Sequence, residues 1–208
     1  MDDLGLRERK KRQTRLALSQ AAIRLTVARG WESVTIEDIA AEADVSVRTF
    51  RNYFGGKAEA VAASQLDRGL RIAAELRERP AAEPLWTALT AVVRAQYATP
   101  PVAGPEPERD ERWLSGLRAV LAVPAVQAEV QRANLLAQEE LAAAIAERAG
   151  LGAAEVYPRL VAAVVGAGSS VAVAQWLRTD PLGSVVPVLD EVFEHIRAGL
   201  PVPAKGDA

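Results

Sequence analysis

Apolar residues return every three or four positions along most of the chain, and no stretch shows the period-two alternation of a half-buried strand. From Thr14 to Arg29 the stripe is Leu18, Ala22 and Leu25, closed by Gly30 at a C-cap position. Ile36, Ile39, Ala40 and Ala43 make a shorter stripe, opened by Thr35 and Asp38 in the spacing of a capping box. After Asp44-Val45, Ser46 stands as the N-cap of another short helix with Phe50 and Phe54 on its inner face. Longer helical patterns follow over 57–79, 85–98, 109–123, 124–150, 158–178 and 184–200, punctuated by Pro80, Pro84, Pro124 and Pro158. Two loops separate them, the Pro-rich TPPVAGPEPE of 99–108 and Asp180-Pro181-Leu182-Gly183. The pattern predicts an all-α fold of about nine helices. Residues 1–56 read as a three-helix head with a basic arm, 57–200 as a helical body and 201–208 as a tail.

Composition narrows the chemistry. With no cysteine and one histidine, His195, the 208 residues offer no disulfide, thiol nucleophile or histidine metal cluster, and no cofactor is expected. The charged start, MDDLGLRERKKRQ, has no apolar run behind it and does not read as a secretory signal. LVAAVVGAGSSVAVAQWL, 160–177, carries no charge, yet it is short for a span of ~20 residues and diluted by Ala, Gly, Ser and Gln. It reads as a helix buried in a protein without a membrane role, and the expected location is the cytoplasm.

Charge is unevenly placed. The chain carries net charge -2, but residues 1–57 hold eleven Lys and Arg against eight Asp and Glu, and the excess acid lies beyond them. A basic head on an acidic body points to a polyanion bound at the N-terminus. Within VSVRTFRNYFGGK, Val45 to Lys57, there are three cations and no acid. Two short helices joined by a tight turn, the second of them basic, make a helix-turn-helix. Such a unit sets the second helix in the major groove of double-stranded DNA. Phe50 and Phe54 would pin that helix while Val47, Arg48, Arg51 and Asn52 project outward. Arg takes guanine and Asn adenine in bidentate contacts, while Ser46, Thr49, Tyr53 and Lys57 suit phosphate. RERKKR, 7–12, fits either a solvated helix start or an arm reaching phosphates or a minor groove.

From about Gln13 to Val61 the chain resembles the DNA-binding domain of the tetracycline-repressor (TetR) family. The resemblance is carried by TIEDIAAEADVS, a following Thr, and YF two residues before Lys57. It implies DNA contacts at Thr35, Ser46, Val47, Arg48, Thr49, Arg51, Asn52, Tyr53 and Lys57, and a palindromic operator bound by a homodimer. Two positions depart from the family pattern. Asp44 stands where Gly is usual, at a backbone position expected to need positive φ. Arg51 replaces an aromatic and would add a base or phosphate contact.

The resemblance further implies that the body binds a small apolar effector and dimerises. Residues from about Arg109 to Gly199 look similar to members with acyl-CoA-like ligand domains. Asn134 lies on the apolar stripe of Val126, Val130, Ala137, Leu141 and Ile145, as a structural hydrogen bond or a polar anchor. Trp86, Tyr97, Trp113 and Trp176, with Arg94 and Gln138, complete the candidate ligand residues. The run with Gly166, Gly168 and Ser169 and the stripe of Val188, Val192, Phe193 and Ile196 are candidates for a two-fold helical interface. A ligand-released repressor is the preferred reading. A DNA-binding dimer without an effector is the alternative. A helical enzyme on an acyl substrate is the third, and no nucleophile–base pair, metal cluster or phosphate loop supports it.

Overall fold

The computed structural model describes residues 3–98, 111–152, 154–179 and 183–202. The whole Pro-rich loop of 99–108, residues 180–182 of the second loop and most of the tail lie outside them. Among the described residues every regular element is an α-helix: α1 (Asp3–Arg29), α2 (Ile36–Glu42), α3 (Val47–Tyr53), α4 (Lys57–Glu78), α5 (Leu85–Ala98), α6 (Glu111–Leu121), α7 (Pro124–Ala149), α8 (Val156–Thr179) and α9 (Val186–Arg197). The helix that the pattern begins at Thr14 starts eleven residues earlier, and α8 starts two residues before Pro158, whose missing N–H is harmless in a first turn.

The chain folds as two compact units, one of residues 1–68 with 101–136 and the other of 69–100 with 137–208. The first therefore takes in α6 and the start of α7 besides the three-helix head. Burial explains why. Leu18, Ala22, Leu25, Ile39, Phe50 and Phe54 build its core, and Val120 of α6 and Val126 of α7 join the same cluster. A three-helix head is small for a self-sufficient core, and α6 covers the side of α1 that the head leaves open. Gly116 permits this: a Cβ there would lie 2.3 Å from the Val27 carbonyl oxygen, so α6 rests on the α1 backbone.

The second unit is built around Leu76 of α4, Leu89 and Val93 of α5, Ile145 of α7, Val161 and Val165 of α8, and Leu189 and Phe193 of α9. Polar clasps tie its margins. Arg77 donates two bonds to the Glu147 carboxylate, at 2.7 and 3.1 Å, and one to Glu140 at 2.8 Å. The Glu147 carboxyl is held below its usual range by that guanidinium. Arg148 caps the end of α4 from α7, donating to the carbonyls of Arg79, Pro80 and Glu83.

α4 passes close to α7 where Gly69 meets Ala137: a Cβ on Gly69 would fall 2.3 Å from the Ala137 Cβ. Neither atom has a torsion that could relieve the clash. Gly69→Ala is expected to lower stability by about 1–3 kcal/mol in urea unfolding, although Ala is the better helix former. Gly69→Ala with Ala137→Gly should recover part of that loss. A double-mutant cycle with no coupling between the two sites would contradict the crossing.

Candidate nucleic-acid interface

The head is assembled by caps before it is assembled by packing. Thr35 N-caps α2: its hydroxyl accepts from the Asp38 N–H at 3.1 Å, and the Asp38 carboxylate accepts from the Thr35 N–H at 2.8 Å. The Thr35 N–H foremost, and then the Thr35 hydroxyl donating to the same carboxylate oxygen at 2.8 Å, hold the Asp38 carboxyl below its usual range. Helix α2 then ends in a Schellman turn, with the Val45 N–H on the Ala40 carbonyl and the Asp44 N–H on the Ala41 carbonyl. The turn demands a left-handed residue, and Asp44 supplies it at φ +53°. Ser46 caps α3 by accepting from the Thr49 N–H at 3.0 Å, and its hydroxyl also pairs with that of Thr49.

Seven residues are too few for a stable helix in isolation. Phe50 and Phe54, both buried, fix α3 in place, their rings 5.7 Å apart and tilted by 52°. Arg15 of α1 lays its guanidinium 4.8 Å from the Phe54 ring centroid and pairs with Asp67 at 3.7 Å. With the aromatic face turned in, Arg48, Arg51 and Asn52 are exposed together, at the i, i+3 and i+4 spacing of one helical side. Val47 and Tyr53 are half-buried against the core, so the outward face is narrower and more polar than the sequence pattern suggests.

Lys57 has a second employment. Its ammonium donates to the carbonyl of Trp31 and to that of Val34 at 2.7 Å, and lies 4.1 Å from the Trp31 ring centroid. Burial pushes it below its usual pKa, with Glu32 opposing the shift. The first turn of α4 is thereby fastened to the α1–α2 loop. Sequence pattern gave no sign of this clasp, nor of the Arg24–Glu42 pair (3.1 Å) joining α1 to α2, because both depend on tertiary distances.

The candidate ligand residues of the body are dispersed. In the first unit Trp113 packs against the core, and Asn134 accepts from the Gln65 amide at 3.1 Å, the structural role left open by its place on the stripe. In the second, Trp86 and Tyr97 pack against the core and the Arg94 guanidinium pairs with Asp190 at 3.2 Å. Trp176 donates its indole N–H to the Gly183 carbonyl at 2.9 Å. Gln138 lies under Gly166, where a Cβ would meet its amide nitrogen at 2.6 Å. A solvent-open groove of about 310 Å3 runs between the end of α4 and α5, lined by Glu75, Glu78, Arg79, Pro80, Ala91, Val92 and Ala95. None of the seven candidate ligand residues lines it.

The dimer candidates divide as well. Gly168, Ser169 and Phe193 are buried inside the protomer, and a Cβ on Gly168 would meet Ile196 at 2.8 Å, so the small-residue run seats α9 on α8. Val188, Val192 and Ile196 are half-buried against the same core. The apolar surface left open on α8 is elsewhere, on Val156, Tyr157, Leu160 and Val171, with the small Ala163 and Ala167 between. α8 is long and apolar enough to cross a membrane by length and composition, but a third of its most apolar window is buried against the protein.

Comparison with known proteins covers both parts of the chain. Residues 18–63 match the family model of bacterial regulatory proteins of the tetR family. Residues 83–201 match that of the MftR C-terminal domain, a description without the acyl-CoA-like character expected from resemblance. The HTH-type transcriptional regulator TcmR of Streptomyces glaucescens is 33% identical over 180 residues, 85% of this chain and 79% of its own. Among solved structures, a TetR-family regulator from Syntrophomonas wolfei superposes with a TM-score of 0.61 at 16% identity, covering 93% of this chain and all of its own. One from Streptomyces coelicolor gives 0.56 at 20% identity, covering 89% of this chain and 97% of its own. At those identities the structures bear on the fold.

Substitutions at two positions test the scaffold under α3. Asp44→Gly should raise stability by about 0.5–1 kcal/mol, whereas Asp44→Val should lower it by at least ~1 kcal/mol, since only Gly occupies the left-handed region freely. Lys57→Met should cost about 1–3 kcal/mol by stranding two carbonyls. Thermal unfolding of the three variants checks both, and an unchanged midpoint in Lys57→Met would leave the clasp without energetic weight.

Proposed function

The chain belongs to the TetR family of bacterial regulatory proteins and is a transcriptional regulator, and from that premise we propose that it is a homodimeric repressor of a palindromic operator. The observation that carries the proposal is the exposure of Arg48, Arg51 and Asn52 on one side of a helix whose other side is locked by Phe50 and Phe54. Arg48 and Arg51 take guanine edges and Asn52 an adenine edge. Ser46, Thr49 and Tyr53 contact phosphate beside them. Thr35 and Lys57 contribute through the helix ends they organise, because their side chains are engaged within the head. The freedom of Arg51 supports an added base contact where the family commonly carries an aromatic.

Dimerisation uses the open apolar side of α8, with Leu160 and Val171 each more than half exposed in the protomer. A dimer carries two heads, suited to half-sites one helical turn, ~34 Å, apart. The body takes a small apolar effector, and binding that favours one arrangement of the body over another releases the DNA. The protein works in the cytoplasm, where its operator lies. Family members are transcriptional regulators and not enzymes, which removes the acyl-directed enzyme as an alternative.

Selection of bound fragments from the source genome should recover a palindrome. Arg48→Ala and Arg51→Ala should each lose about ten- to hundredfold in affinity for it, at ~1–3 kcal/mol per bidentate contact, while non-specific binding persists. Leu160→Glu should yield a monomer by sedimentation and abolish operator binding at concentrations where the wild type is saturated. Wild-type affinity in Arg48→Ala would refute the reading. A palindrome bound with no response to any apolar compound tested would favour the dimer without an effector.

A further inference from the structure

Helix α1 is longer than the core it serves. Its buried stripe begins at Leu18 and runs through Ala22 and Leu25. One turn before that stripe, Arg15 meets the Phe54 ring and the Asp67 carboxylate. The helix nevertheless continues unbroken to Asp3. Arg7, Lys10, Lys11 and Arg12 on this extension are exposed, and none of the ion pairs among the described residues involves them.

The placement of these cations is not random around the helix. Arg7, Lys11 and Thr14 continue the 3–4 spacing of Leu18, Ala22 and Leu25, so the side of α1 that faces the core turns cationic where the core ends. Arg7 and Lys11 are like charges at i,i+4, a pair that costs a few tenths of a kcal/mol in an isolated helix. A polyanion laid along that side would reverse the sign of the cost. Phe54, which Arg15 covers, is also the C-cap of α3, so the extension departs from beside the end of the helix that carries Arg48, Arg51 and Asn52. From Arg15 back to Arg7 is eight residues, roughly 12 Å of helix, the span of three or four phosphates at ~3.4 Å per strand step.

We propose that the extension of α1 is a second DNA-contacting element, a cationic helical arm whose Arg7, Lys10 and Lys11 lie on backbone phosphates flanking the half-site read by α3. The inference rests on the regulator reading above. The arm adds affinity without adding sequence preference, since phosphates position a protein and bases specify it.

The test is the salt dependence of operator affinity in the full-length dimer, with the operator recovered by genomic selection. Arg7→Gln/Lys10→Gln/Lys11→Gln is compared with the wild type and with Arg112→Gln/Arg178→Gln/Arg197→Gln, which removes the same charge elsewhere. For the arm variant the slope of log K against log salt should fall by about 2–3 per protomer, ~0.9 for each phosphate released. The hydroxyl-radical footprint should shorten at both outer flanks, with the preferred sequence unchanged. An arm variant with wild-type slope and footprint overturns the proposal, as does an equal loss of slope in the control. A wild type that recovers no preferred sequence removes the regulator reading and the arm with it, whereas a preferred sequence with an unchanged slope removes the arm alone.

Discussion

The burial of Phe50 and Phe54 decides what the head can do. Helix α3 has seven residues and no independent stability, so its rotation about its own axis is set by whichever side chains the core accepts. Both aromatics are accepted, and the opposite side, with two arginines and an asparagine, is left in solvent. Everything nearby reinforces that choice. The Schellman turn at Asp44 sets the angle of entry, Ser46 closes the first turn, and Arg15 covers the outer ring. A slip of one residue that put Arg51 in the place of Phe50 would strand a cation against the core, at a cost of several kcal/mol.

Close backbone approach is the second organising device, and it recurs at four helix crossings. Gly116 rests α6 on the carbonyl of Val27, Gly69 passes α4 beside Ala137, Gly166 admits Gln138, and Gly168 receives Ile196. Each gives up helix propensity of up to ~1 kcal/mol against Ala; at Gly116 and Gly69 a methyl group would meet a carbonyl oxygen and a Cβ that cannot turn aside, whereas at Gly166 and Gly168 it would meet the end of a side chain that can shift. In α8 one side of a nearly uncharged helix is taken up by packing against α9 and α7, and the other leaves a short apolar surface open.

The polar groups follow a division of labour that their chemistry anticipates. Arginines with planar, multidentate donors fasten structure where carbonyls and carboxylates converge, as Arg77 and Arg148 do in the second unit. Lys57, a compact charge on a flexible stem, reaches two carbonyls and the Trp31 ring. Arg48 and Arg51 on α3, and Arg7, Lys10 and Lys11 on α1, are exposed and placed to meet a polyanion.

The local part of this architecture was legible in the sequence. Capping residues, prolines and the 3–4 apolar spacing located the helices to within a few residues except at the start of α1, and the paired stripes with an acid-free second helix identified the helix-turn-helix. These features act over a turn or two of chain, so they survive translation into pattern. The body resisted for the same reason. Trp113, Trp86 and Trp176 look alike in sequence, yet one packs on the first core, one on the second and one bonds to a loop carbonyl. Gly166 and Gln138 were assigned to different roles and stand against each other. Sequence by itself determined which segments are helical and which face of α3 is charged, because caps and periodicity are set by neighbouring residues. Only the tertiary structure decided which small residues serve contacts within the protomer, which apolar side of α8 stays open, and that α6 belongs with the head. Those outcomes depend on distances between segments far apart in the chain, which no local pattern encodes.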